Sequence, residues 1–349
     1  VPGTNPPLAR AINGNAQPTA RKWWIRAWHR TATARCKLLW RSTTARRQVE
    51  SAAHPRMTPH AAAPFPPRLA LGVAIAAVST SAVFIRLADA PPLVVAFWRC
   101  ALATALLALF MGRQCWREWR ALTRRDLAVL AAAGLALAVH FAAWITSLSY
   151  TSVASSIVLV NTTPLWVALA APLVTTDRVQ RMTWVAIGVA VVGCTIIGAG
   201  DFELSGDALL GDGLALLGAI LCATFMLVGR RLRQTLSLGP YVVGLYGVAA
   251  LFLFVFVLSS GASLTGYSAS TFGWLVCLAL VPQVLGHSSY NYALRYVSAA
   301  LTSVATLGES VGATLLAWWI LGDEPSAQTL VGGALVLVGM AIAVRAERT

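Results

Sequence analysis

The sequence predicts an all-α integral membrane protein of ten transmembrane helices, built as two inverted five-helix repeats. Three observations carry this. Hydrophobic residues make up 57% of the chain and charged residues 11%, too few charges to cover a soluble domain of this length. Ten apolar runs of about 20 residues follow one another, each long enough to cross the hydrocarbon core as a helix. Finally, part of the first half recurs in the second. Leu148-Ser149-Tyr150, Asp177 and Gly193 return 146 residues later as Leu294-Arg295-Tyr296, Asp323 and Gly339, and Gly188 is echoed by Gly333.

Punctuation by charge, Gly and Pro places the spans near 69–88, 92–111, 127–147, 153–174, 182–199, 211–229, 240–258, 271–292, 299–320 and 328–344. With the N-terminus inside, Arg68, Arg113, Arg117, Arg120, Arg124, Arg125, Arg178, Arg181, Arg230, Arg231, Arg233, Arg295, Arg345 and Arg348 all fall on the cytoplasmic side. Asp89, Asp201, Glu203, Asp207, Asp212, Asp323 and Glu324 fall outside, and Arg86 alone sits near the outer edge. This is the positive-inside bias, with both termini cytoplasmic. An odd number of spans per copy gives the copies opposite orientation, and the loop charges show it: five arginines follow span 2, none follow span 7.

Residues 1–67 read as a basic N-terminal extension without helical or strand period. Residues 1–56 hold 11 of the 27 Lys and Arg and one acid, so the formal charge of +14 belongs mostly to this segment, and the rest carries +4. No apolar core of signal-peptide length follows these charges. Trp23, Trp24, Trp28 and Trp40 lie beside Arg and Lys, the composition of a nucleic-acid or lipid-binding arm, but charge runs are weak motifs and no nucleic-acid partner is expected. Met57 precedes a short Pro-rich lead, so the extension is expected to be dispensable, as in an over-long reading frame. The six cysteines show no Cys-x-x-Cys spacing, and neither a zinc site, a disulfide framework nor a cofactor is expected.

Ionisable side chains at membrane depth are costly and mark functional positions. Four stand out: Arg99, His140, His287 and Glu309. Glu309 lies about ten residues into span 9, near the midplane, where a carboxyl can bind and release a proton. The alternative is a buried structural ion pair with Arg99. His140 and His287 occupy nearly equivalent positions of the two repeats, with Trp144 one turn beyond His140. Gln283, His287 and Asn291 are spaced i, i+4, i+8, one face of an α-helix. Thr302, Thr306 and Glu309 make a similar stripe on span 9, and Asn161-Thr162-Thr163 precede Pro164 in span 4. Pro164 and Pro282 each remove an intrahelical donor. The candidate substrate-binding set is therefore His140, Trp144, Asn161, Gln283, His287, Tyr290 and Asn291. Glu309 and Arg99 are candidates for proton coupling or a structural pair. Interhelical hydrogen bonding, worth about 0.6 kcal/mol per contact, is the plainer use of each stripe.

Small residues mark other faces. Gly188 and Gly193 in span 5, with Gly333 and Gly339 in span 10, permit close packing within the protomer or a homodimer seam. An inverted repeat around midplane polar groups is the plan of many secondary transporters, with a small molecule and the bilayer as partners. An enzyme would need a nucleophile, metal cluster or acid pair, and ATP-driven pumping a phosphate loop; neither pattern is present in the sequence.

Phe97-Trp98-Arg99, Ser147-Leu148-Ser149-Tyr150-Thr151-Ser152 through Thr163-Pro164-Leu165, and Gly188 to Gly193 run through the first half in that order. Asn291-Tyr292-Ala293-Leu294, Gly308-Glu309-Ser310 and Leu321-Gly322-Asp323-Glu324-Pro325 run through the second. In these the chain resembles the EamA-like branch of the drug/metabolite transporter superfamily over residues 68–345. The resemblance implies repeats at 68–200 and 205–345 around a central cavity. It also implies export of amino acids, nucleobases, vitamins or related metabolites, here from a bacterial inner membrane. Two positions depart from the family. Ser310 follows Glu309 where Pro is frequent, so the residue that would break span 9 is missing. Asp177-Arg178 stands at a position that is frequently acidic after span 4.

Overall fold

The computed structural model describes residues 63–151, 153–175, 177, 179–198, 206–321 and 325–347. Residues 1–62, Arg178, Asp201, Glu203, Asp323, Glu324 and Arg348, on which expectations were placed, lie outside the described residues.

Among the described residues every regular element is helical. Nine helical stretches among the described residues are long and apolar enough to cross a membrane: Pro67–Leu87, Pro92–Trp119, Arg124–Ser147, Ser155–Val174, Gly206–Leu232, Leu238–Ser260, Ala269–Ala293, Ala299–Ile320 and Ala327–Ala346. The shorter apolar helix Arg181–Gly198 is span 5 and completes the ten. Large apolar side chains such as Leu109, Phe110, Leu173 and Trp319 stay exposed on outward faces, as lipid contact requires.

The packing obeys the repeat. Span 5 packs on span 10 and span 2 on span 7, each helix against its own repeat mate. Span 3 packs on span 6, and its image, span 8 on span 1, is present too. Span 4 on span 6 is likewise matched by span 9 on span 1. A pseudo-two-fold relation between oppositely oriented halves accounts for all of these pairs.

Span 2 differs from its expected limits. The run 92–111 continues as helix to Trp119, 28 residues or about 42 Å, well beyond a 30 Å hydrocarbon core. Most of the expected 112–126 loop is therefore helix. Its end is held because Glu118 accepts from the backbone N–H and hydroxyl of Ser237, at 3.1 and 2.6 Å, where span 7 begins. Thr123 and Asp126 then form a reciprocal capping box that starts span 3. Arg233, assigned to a cytoplasmic loop, is only 2% exposed and donates to the carbonyls of Asn291 and Leu236. Burial is tolerated because one carbonyl near the end of span 8 and one in the turn between spans 6 and 7 supply acceptors.

The broken spans position the site. Span 4 is two helices, Val153–Val160 and Thr163–Val174, separated at Asn161-Thr162. Pro164 cannot donate to the Val160 carbonyl, and the Thr163 hydroxyl takes that carbonyl instead at 2.7 Å. Span 9 breaks at Leu307, between Ala299–Thr306 and Gly308–Leu321. This corrects the expectation drawn from the missing proline. Here the Thr306 hydroxyl bonds the Ser303 carbonyl, Leu307 N–H reaches back to Val304, and glycine follows, so the chain tightens without proline. Positions 161 and 307 are 146 residues apart, the repeat offset.

Candidate functional site

The breaks face one cavity with a free volume of about 690 Å³, including the open space at its mouth. Val78, Ser81, His140, Phe141, Trp144, Val160, Asn161 and Thr163 line it from spans 1, 3 and 4. Cys222, Phe225, Met226, His287, Tyr290, Asn291, Leu294, Thr306 and Glu309 line it from spans 6, 8 and 9 or directly after span 8. Each repeat thus contributes its first, third and fourth spans.

Span 3 presents His140 and Trp144 one turn apart, their rings parallel within 7° at 6.2 Å. His140 Nδ1 lies 2.8 Å from the Gly218 carbonyl on span 6. Such a contact requires the proton on Nδ1 and leaves Nε2 as the acceptor. Phe141 stands between the two histidines, 5.1 Å from His140 and 5.5 Å from His287, so they share the cavity without touching. Asn161 donates to the Ser310 hydroxyl at 2.7 Å, joining the break of span 4 to the half-helix that carries Glu309. Glu309 lies in the first turn of that half-helix and complements the positive end of its dipole.

Two wall atoms lack a hydrogen-bond partner among the described residues, Trp144 Nε1 and Asn291 Oδ1, whereas the Tyr290 hydroxyl interacts with Glu309. Leaving a buried polar group unpaired costs about 1–3 kcal/mol. Asn291 is otherwise anchored, its Nδ2 donating to the His287 carbonyl at 2.8 Å and its own carbonyl held by Arg233 at 3.1 Å. Its free oxygen is therefore presented rather than swinging.

Two candidates are placed elsewhere. Arg99 is fully buried behind Phe141, its guanidinium carbon 4.2 Å from the ring centre, with Nε donating to Gln283 Oε1 at 3.0 Å. Its second partner is the Ser81 hydroxyl at 3.5 Å. The expected Arg99–Glu309 ion pair is absent from this structure; among the described residues the ion pair is Arg230–Asp177. Gln283 also lies off the cavity wall, as the partner of Arg99. The i, i+4, i+8 stripe presumed an α-helix, but Ala279–His287 is a π-helix around Pro282, and the three residues do not share the cavity wall. Conversely, Ser81, Phe141, Cys222, Phe225 and Met226 line the cavity without having been singled out from the sequence. Span 6 contributes only apolar and thiol side chains, and no polar stripe pointed to it.

Comparison with known proteins agrees with this architecture. The model of the EamA-like transporter family matches residues 68–199 and again 209–345. An uncharacterized transporter of Archaeoglobus fulgidus is 25% identical over 280 residues, 78% of this chain and 94% of that protein. An uncharacterized transporter of Clostridium kluyveri is 25% identical over 63% of this chain and 73% of its own length. A solved crystal structure superposes with a TM-score of 0.68 over 81% of this chain and 97% of its own, at 16% identity, a likeness of fold alone. With both repeats matched and the inverted ten-span architecture in place, the chain belongs to the EamA-like transporter family of multi-pass membrane transporters.

Proposed function

We propose that this transporter is a secondary carrier exporting a small polar metabolite, such as an amino acid or a related heteroaromatic compound, by alternating access, with Glu309 as the proton-coupling group. The observation that carries the reading is the cavity wall. Parallel His140 and Trp144 rings offer a stacking surface, while Trp144 Nε1 and Asn291 Oδ1 offer unspent hydrogen-bonding capacity. A planar ligand with donors and acceptors on its edge uses both. Apolar drugs use only the Phe141, Phe225 and Met226 side of the wall, which supports drug efflux as the second reading. Facilitated exchange is the same cycle without Glu309 titrating.

A thermal-shift screen of amino acids, nucleobases and aromatic amines on purified protein should yield stabilising ligands, since native-state binding raises apparent stability. Labelled hits should accumulate in proteoliposomes. Trp144→Ala should weaken such a ligand by about 1 kcal/mol, the scale of one aromatic contact. Uptake with unaltered affinity in that variant would remove the stacking surface from the site.

The arginine asymmetry supports insertion in the bacterial inner membrane with cytoplasmic termini, repeats at 68–200 and 205–345, and a basic extension over 1–67. Cysteines introduced at the exposed positions Arg120 and Asp207 test the orientation. Impermeant thiol reagent applied to cells should reach position 207 and miss 120. The reverse labelling would invert the threading.

A further inference from the structure

Resting on the alternating-access reading, we infer that Asp177 and Arg230 form the latch of the gate at the end of the carrier that is cytoplasmic in the threading above. Arg230, in the last turn of span 6, binds the Asp177 carboxylate in bidentate fashion, Nε to Oδ2 at 3.0 Å and a terminal nitrogen to Oδ1 at 3.1 Å. Its other terminal nitrogen donates to the carbonyls of Leu294 and Arg295, at 2.8 and 3.0 Å. Asp177 Oδ2 also accepts from the backbone N–H of Ala299, at 3.3 Å, where span 9 begins. One ion pair thus joins the loop after span 4, in the first repeat, to span 6 and the span 8–9 turn of the second.

Its position relative to the cavity gives it a gating role. Leu294 lines the cavity by its side chain and is gripped by Arg230 through its carbonyl. Leu294 also belongs to a buried apolar layer with Val167, Ala171, Ala223 and Leu227, each at most 3% exposed. Span 4, span 6 and the end of span 8 supply this layer, and the latch holds those same elements together. The pair itself remains partly solvated, with side chains 17% and 14% exposed, so water can replace the partners when the halves separate. A plug of small and aliphatic side chains closed by a solvated ionic clasp can open without stranding a charge in hydrocarbon. The cycle thus gains a closed state stabilised by contacts that exist only while the repeats are together, the differential interaction that a two-state gate requires.

The native thiol of Cys222 lines the cavity and reports access to it. In a variant whose only cysteine is Cys222, reconstituted in oriented membranes, a charged methanethiosulfonate reagent is applied separately to each face. Asp177→Asn should raise the labelling rate from the latch face by about tenfold, the size of shift expected when a minor open state becomes a major one, with no rise from the opposite face. Arg230→Lys keeps the charge but loses the fork to the carbonyls, and should give a smaller rise in the same direction, which serves if Asp177→Asn does not fold. An unchanged latch-face rate in a folded variant overturns the inference. A rise of equal size on both faces also overturns it, because general loosening rather than gating produces that pattern. The labelling requires no substrate, so failure of the ligand screen and failure of the latch are read separately.

Discussion

Glu309→Gln is expected to reduce proton-gradient-driven uptake to the level seen without a gradient, while substrate binding and substrate exchange persist. The amide reproduces the shape of the protonated acid but cannot lose its proton, so a coupled cycle stalls where an exchange cycle does not. Among the described residues Glu309 is the one carboxylate on the cavity wall, and it shares that wall with Thr306 and Tyr290. Stability is the second readout. Removing one partner of a buried ion pair costs about 3–5 kcal/mol, yet no Arg99–Glu309 pair forms here: Arg99 bonds Gln283 and Ser81, and its remaining terminal nitrogen has no partner among the described residues. The substitution should therefore change stability by no more than about 1 kcal/mol. Gradient-driven uptake and thermal unfolding measured on the same protein separate the cases. A stable variant with normal uptake removes Glu309 from coupling, and a strongly destabilised one reinstates a pairing role.

Gly193→Ala should destabilise the protein by about 1–3 kcal/mol, whereas Gly188→Ala, barely more than one helical turn away, should be neutral or stabilising by up to about 1 kcal/mol. The contrast comes from what each new methyl meets. At Gly193 it would lie 2.6 Å from the Gly332 carbonyl oxygen and 2.8 Å from the Val336 nitrogen. These are backbone atoms of span 10 and cannot rotate aside. The contact is reciprocal, because a methyl at Gly332 would lie 2.6 Å from the Gly193 carbonyl. At Gly188 nothing lies within 4 Å, so only the helix propensity of alanine remains. Thermal unfolding monitored by fluorescence-detected size exclusion gives both values. Equal effects at the two glycines would show that spans 5 and 10 do not approach this closely. The seam uses Gly193 and Gly339 inside the protomer; a homodimer would then form on the outer faces of these spans, and interprotomer cross-linking there tests it.

Composition, apolar run length and a 146-residue echo were enough to read ten spans, two repeats and their inversion, because each is forced by the solvent. Lipid cannot satisfy backbone groups, so every apolar run must be a helix, and the charges left over must mark the ends. Much of the cavity wall was legible for the same reason: His140, Trp144, Asn161, His287, Tyr290, Asn291 and Glu309 are polar or amphipathic groups that lipid will not accept. The tertiary structure decided what depends on local backbone winding and on neighbours. Gln283 sits in a π-helix rather than the α-helix its spacing presumed, and it pairs with Arg99 instead of lining the cavity. Span 9 broke without a proline because hydroxyl-to-carbonyl bonds and a glycine replaced it. Phe225 and Met226 joined the wall because span 6 faces span 3, a relation with no signature in an apolar run. Asp177 met Arg230, 53 residues away, only because the two repeats close on each other. Periodicity reports which side of a helix avoids lipid, whereas partners are chosen by the packing of helices far apart in sequence.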